Sequence, residues 1–288
     1  MDYVELEIPS GLQGHVQCLW RLRDAQMPTH AQTVYPDGRC ELIVHRAAPM
    51  RLYTLAHGWQ TQSHCLFAAQ QRTAIRLMAT GPVDCIGVRL LPAASALIAG
   101  HRLASLVDDI VDMETLDARF ADQLTDACTA FEDAKDPQAL WTLIERRIAG
   151  EPVDPQIARA TAALDACHGQ RTITALARDL AMSLRSLQMR FLHSVGLTAK
   201  EYARVQRLQA TLRHLDDNAE SLSQLAASAG FADQAHATRE VQRLTGLTPS
   251  RLRQALHAER DGDAALQMAA AFVRGQGGNR ERTKGVSP

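Results

Sequence analysis

The sequence predicts an α+β protein, with a small β-barrel or sheet domain carrying several helices, followed by an all-α domain. Two observations predict this architecture. Short apolar segments separated by turn formers fill the first third of the chain, and one helical unit occurs twice in the last third. The repeat is marked by Gly-Leu-Thr at residues 196–198 and 246–248, and each copy follows a Leu-Ala pair, at 176–177 and 225–226.

The first domain is predicted to be β-rich over residues 1–92 and helical over 93–150. Four apolar segments predict strands, at residues 40–45, 51–56, 73–79 and 85–91. Turn formers such as Pro36-Asp37-Gly38 and Gly81-Pro82 lie between them. After Pro92 the apolar residues take helical spacing, which predicts several helices closing this domain.

Residues 150–155 concentrate helix breakers and predict the domain boundary. Asp154 is placed to cap a helix that starts at Pro155. A DNA-binding domain is then expected over residues 151–260. Residues 261–288 hold too few apolar side chains to offset the entropy of ordering them, so this tail is predicted to be disordered.

Composition and charge narrow the class of protein. No apolar run approaches the roughly 20 residues that span a bilayer, and the N-terminus is not a secretory signal, so a cytoplasmic protein without a membrane partner is expected. Residues 1–150 carry 13 Lys and Arg against 18 Asp and Glu, whereas residues 151–288 carry 18 against 14. The basic excess of the second half suits DNA binding. Six scattered cysteines without a CxxC pair predict reduced thiols, and neither metal nor cofactor is expected.

The first repeat reads as helix, turn, helix. Thr172 is placed to cap one helix and Ser183 the next, in which Leu187, Phe191 and Val195 form an inward stripe. In helix-turn-helix proteins the second helix enters the major groove with its N-terminal residues at the base edges. The base-edge candidates of this helix are Arg185, Gln188 and Met189.

The second repeat has the same plan with one residue more. The leucines of the two Leu-Ala pairs, Leu176 and Leu225, are the landmark leucines and lie 49 residues apart. The glycines of the two Gly-Leu-Thr motifs lie 50 apart, which places an insertion of one residue in the turn beside Ala232. Ser221 and Gln224 form a capping-box pattern, and Asp233 is placed to cap the second helix of this repeat. The second helix of each repeat, which is expected to enter the major groove, is called a reading helix below. The base-edge candidates of the second reading helix are Gln234, His236 and Arg239, of which Gln suits adenine and Arg guanine.

A long amphipathic helix joins the repeats. Thr198 and Glu201 form its capping box, and its apolar stripe comprises Tyr202, Val205, Leu208, Leu212 and Leu215. At about 27 Å it approaches the roughly 34 Å between successive major-groove faces, so one chain could reach two adjacent segments of groove. The phosphate-contact candidates are Arg190, Arg204 and Arg207.

Residues 157–256 resemble the paired helix-turn-helix domain of the AraC/XylS family of bacterial transcription regulators. The resemblance rests on the run from Ser183 to Phe191, on Gly-Leu-Thr followed by Glu201-Tyr202, and on residues 229–240 leading to 246–253. It implies that the six base-edge candidates meet bases. Two departures are Met189, where many relatives have Arg, and Val241, where they have an aromatic residue.

The N-terminal half looks like a poorly characterised sensor-type domain found in some members of that family. This resemblance rests on residues 35–38, 41–43, 87–89 and 91–92, and it implies effector binding or dimerisation. The aromatic residues that could line an effector pocket are Trp20, Tyr35, Tyr53 and Trp59. Double-stranded DNA is the expected partner, with a small-molecule effector, RNA polymerase and a second copy of the chain as further candidates.

The alternative class is an enzyme, a metal-dependent cupin-like barrel whose helical half mediates association. His45, His57, His64 and Cys65 lie within the predicted barrel and are the residues that could ligate a metal there. Their spacing is irregular and no HExxH is present, so catalysis is not expected. A third reading is a protein-interaction module that uses the repeat as a helical scaffold.

Overall fold

The computed structural model of the protein describes residues 2–25, 31–54, 57–131, 137–148, 152–217 and 222–261. The predicted tail from residue 262 onward and Ser221 of the predicted capping box lie outside these residues.

The N-terminal half is built on two antiparallel sheets, which confirms the predicted β-rich domain. One has six strands in the order β1-β2-β9-β4-β7-β10, and the other has four in the order β3-β8-β5-β6. The strands are β1 Asp2–Leu6, β2 Val16–Asp24, β3 Gln32–Val34, β4 Glu41–His45, β5 Arg51–Thr54, β6 Gly58–Thr61, β7 Cys65–Ala68, β8 Ile75–Met78, β9 Val83–Leu90 and β10 Ile110–Asp112.

The four predicted strands are present as β4, β5, β8 and β9. The long strand β2 was not predicted, because its charged residues Arg21 and Arg23 interrupt the apolar pattern. In the sheet, both arginines form ion pairs with Asp84 of β9. One expectation is wrong: residues 93–150 are not helical throughout, because β10 pairs with β7 at the edge of the six-stranded sheet.

The described residues also form ten α-helices. They are α1 Ala96–Ala99, α2 Met113–Thr129, α3 Gln138–Ile148, α4 Pro155–Ala166, α5 Ile173–Asp179, α6 Leu184–Val195, α7 Ala199–Asp217, α8 Leu222–Ser228, α9 Gln234–Thr245 and α10 Pro249–Asp261. Short 3-10 segments at Pro92–Ala94 and Gly100–Leu106 flank α1.

The six-stranded sheet separates the core of the first half from a cavity. Strand side chains alternate between the two faces, so Leu42 and Val44 of β4 pack with Phe120 and Leu124 of α2, whereas Ile43 faces the four-stranded sheet. Full burial of each of these leucines stabilises the fold by about 1.5 to 3 kcal/mol.

The helical half has two cores, one for each repeat, and both include residues from the N-terminal half. Ala93 packs in the core formed by α4 to α7, and Tyr35 packs in the core formed by α7 to α10. The predicted Asp154 cap is present, since its carboxylate accepts hydrogen bonds from the backbone N–H groups of Gln156 and Ile157. Side chains from the N-terminal side of the predicted domain boundary therefore pack in the cores of the helical half.

All six cysteines are unpaired, and five of them are buried. Burial raises the pKa of the Cys40 and Cys18 thiols to about 12, so both stay protonated. Within the described part of the chain, no helix combines the length and apolar character that crossing a membrane demands.

Candidate nucleic-acid interface

Each reading helix starts at a side-chain cap. The Ser183 hydroxyl accepts a hydrogen bond from the backbone N–H of Ser186 at the start of α6, and the Asp233 carboxylate accepts one from that of His236 at the start of α9. The preceding helix of the first repeat is capped by Thr172 as predicted. Both reading helices contain 12 residues and end at a glycine in the left-handed conformation, Gly196 or Gly246.

The inward faces of the two helices match the sequence prediction. On α6, Leu187, Phe191 and Val195 are completely buried. On α9, the corresponding apolar residues are Ala237, Val241 and Leu244, all at most 5% exposed. Val241 therefore fills its predicted core position.

The outward faces carry most of the base-edge candidates. Arg185, Gln188 and Met189 of α6 are exposed, as are Gln234 and Arg239 of α9. His236 differs, because its ring packs edge-on against Phe231 and its Nδ1 accepts the backbone N–H of Ala232. It holds the turn of the second unit, and its contact with a base stays a prediction.

The two turns differ as the spacing predicted. Four residues, 180–183, separate α5 from α6, whereas five residues, 229–233, separate α8 from α9. At the position five residues after the landmark leucine, Gly230 has φ +75° and Ala181 has φ +53°. The first turn thus holds an alanine in a conformation that favours glycine.

The joining helix α7 is fixed at its start by the predicted capping box. The Glu201 carboxylate accepts the Thr198 backbone N–H, and the Thr198 hydroxyl accepts the Glu201 backbone N–H. Its apolar stripe is buried as predicted. The 19 residues of α7 make it about 28 Å long.

The three phosphate-contact candidates all have partners inside the protein. The Arg190 guanidinium pairs with Asp154, the cap of α4, and Arg204 forms an ion pair with Glu240 of α9 at 3.3 Å. Arg207 lies over the Phe231 ring at 5.8 Å, and burial lowers the pKa of its guanidinium. These contacts join different segments of the helical half to one another. The contact of the three arginines with DNA phosphates stays a prediction.

Sequence reasoning missed a polar network that joins a turn of the first half to α7. The Arg39 guanidinium donates to the Tyr202 hydroxyl at 2.7 Å and to Asp165 of α4 at 2.9 Å. The Tyr202 hydroxyl donates to the other Asp165 oxygen at 2.6 Å. Burial raises the pKa of Tyr202 well above its usual value, so the phenol stays protonated and donates.

The same turn is held by amide groups on α7. Gln206 Nε2 donates to the Asp37 carbonyl at 3.1 Å, and Gln209 Nε2 donates to the Pro36 carbonyl at 2.6 Å. Both glutamines are almost completely buried. The available signal was the turn Pro36-Asp37-Gly38, but glutamine on a helix is ordinarily exposed and gave no hint of burial.

An apolar cavity lies between the two sheets. Trp20 and Ile43 line it from the six-stranded sheet, and Val34 and Leu77 from the four-stranded sheet. Its volume is about 100 Å³, and it belongs to a wider recess that is partly open to solvent. The turn 35–39 contributes Tyr35, so the turn that contacts α7 also forms part of the cavity wall.

The four aromatic effector candidates divide into two pairs. Trp20 and Tyr35 line the cavity, but Tyr53 and Trp59 are not among the described residues that do. Those two pack against each other on β5 and β6, with ring centroids 5.4 Å apart and Arg76 stacked on both rings. The effector role of all four stays a prediction, and their division was hidden because sequence distance does not show which sheet face a strand residue occupies.

The metal-site candidates do not assemble into a site. His45 Nδ1 lies 3.1 Å from the Cys85 sulfur, and His64 Nδ1 contacts the His45 carbonyl oxygen. Among the described residues, no three His, Cys, Asp or Glu side chains are grouped so as to hold a metal ion.

Comparison with known proteins matches both halves. Residues 176–255 match the helix-turn-helix domain family, and residues 7–112 match a domain of unknown function, DUF6597. No match was found among curated proteins.

Three solved structures illustrate the similarity. ToxT from Vibrio cholerae is 10% identical over 82% of this chain and 97% of its own, with a TM-score of 0.42. The C-terminal domain of AraT, a response regulator from Geobacillus stearothermophilus, is 16% identical over 35% of this chain and 86% of its own (TM-score 0.34). The DNA-binding domain of AdpA, a global transcriptional factor in complex with a target DNA, is 26% identical over 38% and 100% (TM-score 0.35).

The matched domains and the two capped reading helices define a DNA-binding transcriptional regulator of the helix-turn-helix class. Within that class, residues 176–255 carry a helix-turn-helix domain of the AraC type and residues 7–112 carry a DUF6597 domain.

Proposed function

We propose that α6 and α9 read two adjacent major-groove segments of one DNA site. The observation that supports this most is that two helices of equal length each present an exposed face opposite a buried stripe, and that both contact the one joining helix α7. Arg185, Gln188 and Met189 on α6, and Gln234, His236 and Arg239 on α9, are the proposed base contacts.

Selection of bound sequences from a random DNA pool by the full chain tests this function. We expect an enriched motif with two blocks about one helical turn apart. A pool that remains random after repeated selection would contradict specific DNA binding and would favour the interaction-module class.

We further propose that the cavity between the sheets binds a small, uncharged and mainly apolar effector. The walls are mostly aliphatic and aromatic, and the charged groups at one end are engaged with each other. Arg89 Nε donates to Glu41 at 2.6 Å, and the Arg89 guanidinium lies 3.5 Å from Asp37. Because these charges are balanced within the protein, the cavity does not require a charged ligand.

The turn 35–39 is the proposed connection between effector and DNA. It lines the cavity on one side and is bonded to α7 on the other, and α7 carries the two reading units. A ligand that shifts the turn would change the relative position of the two reading helices, since it binds one arrangement better than the other.

A thermal-shift screen tests the effector proposal, with indole, naphthalene and straight-chain alcohols as probes. We expect at least one probe to raise the melting temperature of the full chain and to change its DNA affinity. Leu77→Trp, which fills the cavity, should abolish both effects, whereas Tyr53→Ala, outside the cavity, should retain them. Probe effects that survive Leu77→Trp would contradict binding at this place.

Two further partners are proposed on family grounds. RNA polymerase and a second copy of the chain are the partners that such a regulator would need, and light scattering of the purified chain measures the second directly. The proposed place of action is the cytoplasm, and catalysis is no part of the proposal.

A further inference from the structure

The first reading helix has an unusual surface. Among the residues that the structure describes, three large apolar side chains are exposed, and all three lie on α6: Leu184, Met189 and Leu192. Met189 is the most exposed of them, at 62%. Met189 and Leu192 lie three positions apart and are neighbours on the helix surface, and neighbouring exposed apolar side chains mark a binding surface more often than single ones do.

The second reading helix, α9, has polar residues at the positions that correspond to these three apolar residues of α6. Because α6 and α9 have equal length and begin at Ser183 and Asp233, their positions correspond one to one after the cap. Leu184, Met189 and Leu192 then correspond to Gln234, Arg239 and Gln242, which are all exposed. The two helices thus share a framework but present opposite chemistry at three positions.

We infer that α6 recognises the 5-methyl groups of thymines through this apolar surface, centred on Met189, an inference that rests on the proposed DNA reading. The thymine methyl is the apolar group that base edges present in the major groove, and apolar side chains contact it there. The exposed Arg185 lies four positions before Met189 and the exposed Gln188 four before Leu192, so these two apolar side chains share the face that carries the polar base-edge candidates.

A protein partner fits this surface less well. Stable protein interfaces use about 20 to 30 residues on each side, far more than three side chains. α6 therefore specifies one or two thymines of its half-site by methyl contact, while α9 specifies its half-site through Gln234, His236 and Arg239.

The test uses the DNA sequence selected by the full chain, with each thymine replaced in turn by deoxyuridine, which lacks only the 5-methyl group. We expect binding to weaken about fourfold at one or two thymines of a single half-site, the effect of removing one buried methyl-sized group. Met189→Ala should remove this preference for thymine over uracil. Arg239→Ala, at the corresponding position of α9, should retain it.

The outcomes separate this inference from the proposed function. A selected motif in which no deoxyuridine weakens binding would overturn the methyl contact and leave DNA reading intact. A uracil penalty that persists in Met189→Ala would show that Met189 does not make the methyl contact. If the same substitution also breaks up a dimer that the full chain forms, the apolar surface belongs to an interface with a second copy. A pool that yields no motif would overturn both.

Discussion

The Arg39 guanidinium donates a 2.7 Å hydrogen bond to the hydroxyl of Tyr202, across 163 positions of sequence. Arg39 is the last residue of the turn 35–39 in the sensor-like half, and Tyr202 lies in the first turn of the helix α7 that joins the two reading units. Both side chains are buried, so the bond is made away from water, where breaking it leaves polar groups without partners. This pair makes the turn 35–39 a structural part of the DNA-binding half.

Gly38 should be indispensable for this contact. It has φ +81°, and a Cβ there would lie 2.8 Å from the Tyr202 ring, which is buried and held by Arg39 and Asp165. We expect Gly38→Ala to lower the free energy of unfolding by about 1 to 3 kcal/mol more than Gly58→Ala does. Urea unfolding of both variants measures this difference.

Gly58 is a matched control because its φ is +66° and nothing lies within 4 Å of its Cβ position. Both variants therefore incur a similar backbone strain, and the difference reports the clash with α7. Equal destabilisation by the two substitutions would show that the turn does not pack tightly on the helix.

The first helix-turn-helix unit should become more stable with a glycine in its turn. Ala181 has φ +53°, a conformation that costs an L-residue roughly 1 kcal/mol, and its side chain is exposed. Ala181→Gly should therefore stabilise the domain by up to about 1 kcal/mol, whereas Gly230→Ala should destabilise it. Thermal unfolding followed by circular dichroism checks both signs, and a less stable Ala181→Gly would refute the argument.

Acid should destabilise the N-terminal half through His45. Burial lowers the pKa of this imidazole to about 4, so it stays neutral in the folded protein at a pH where the unfolded chain binds a proton. Its contribution to stability is complete above the unfolded pKa of about 6.5, and it is lost as the pH falls toward 4. The loss is about 1.4 kcal/mol for each pH unit in that window.

Urea unfolding at several pH values measures this slope. His45→Gln removes the titrating group and should make the stability less dependent on pH between about 4 and 6.5. His57→Gln, which changes an exposed histidine, should leave the dependence unchanged. A wild-type slope retained in His45→Gln would assign the acid sensitivity to another group.

Local patterns predicted the helical half better than the sheets. The caps at Thr172, Ser183 and Asp233 are set by short-range hydrogen bonds that sequence spacing reveals. Strand β10 has only three residues and is fixed by pairing with β7, which no local pattern shows.

The network at Arg39 was equally hidden, because its members are far apart in sequence and polar. The same reason explains the division of the aromatic candidates, with Trp20 at the cavity and Trp59 on the β5–β6 hairpin. Three-dimensional packing decides such cases.

The most direct test of the central claim is the effect of Arg239→Ala on binding to the selected site, to its single-base variants and to scrambled DNA. Arg239 is exposed on α9, and an arginine that pairs with guanine contributes about 1 to 3 kcal/mol of discrimination. We predict a loss of that size on the selected site, relaxed preference at one base pair and little change on scrambled DNA. Equal losses on selected and scrambled DNA would contradict base reading by α9.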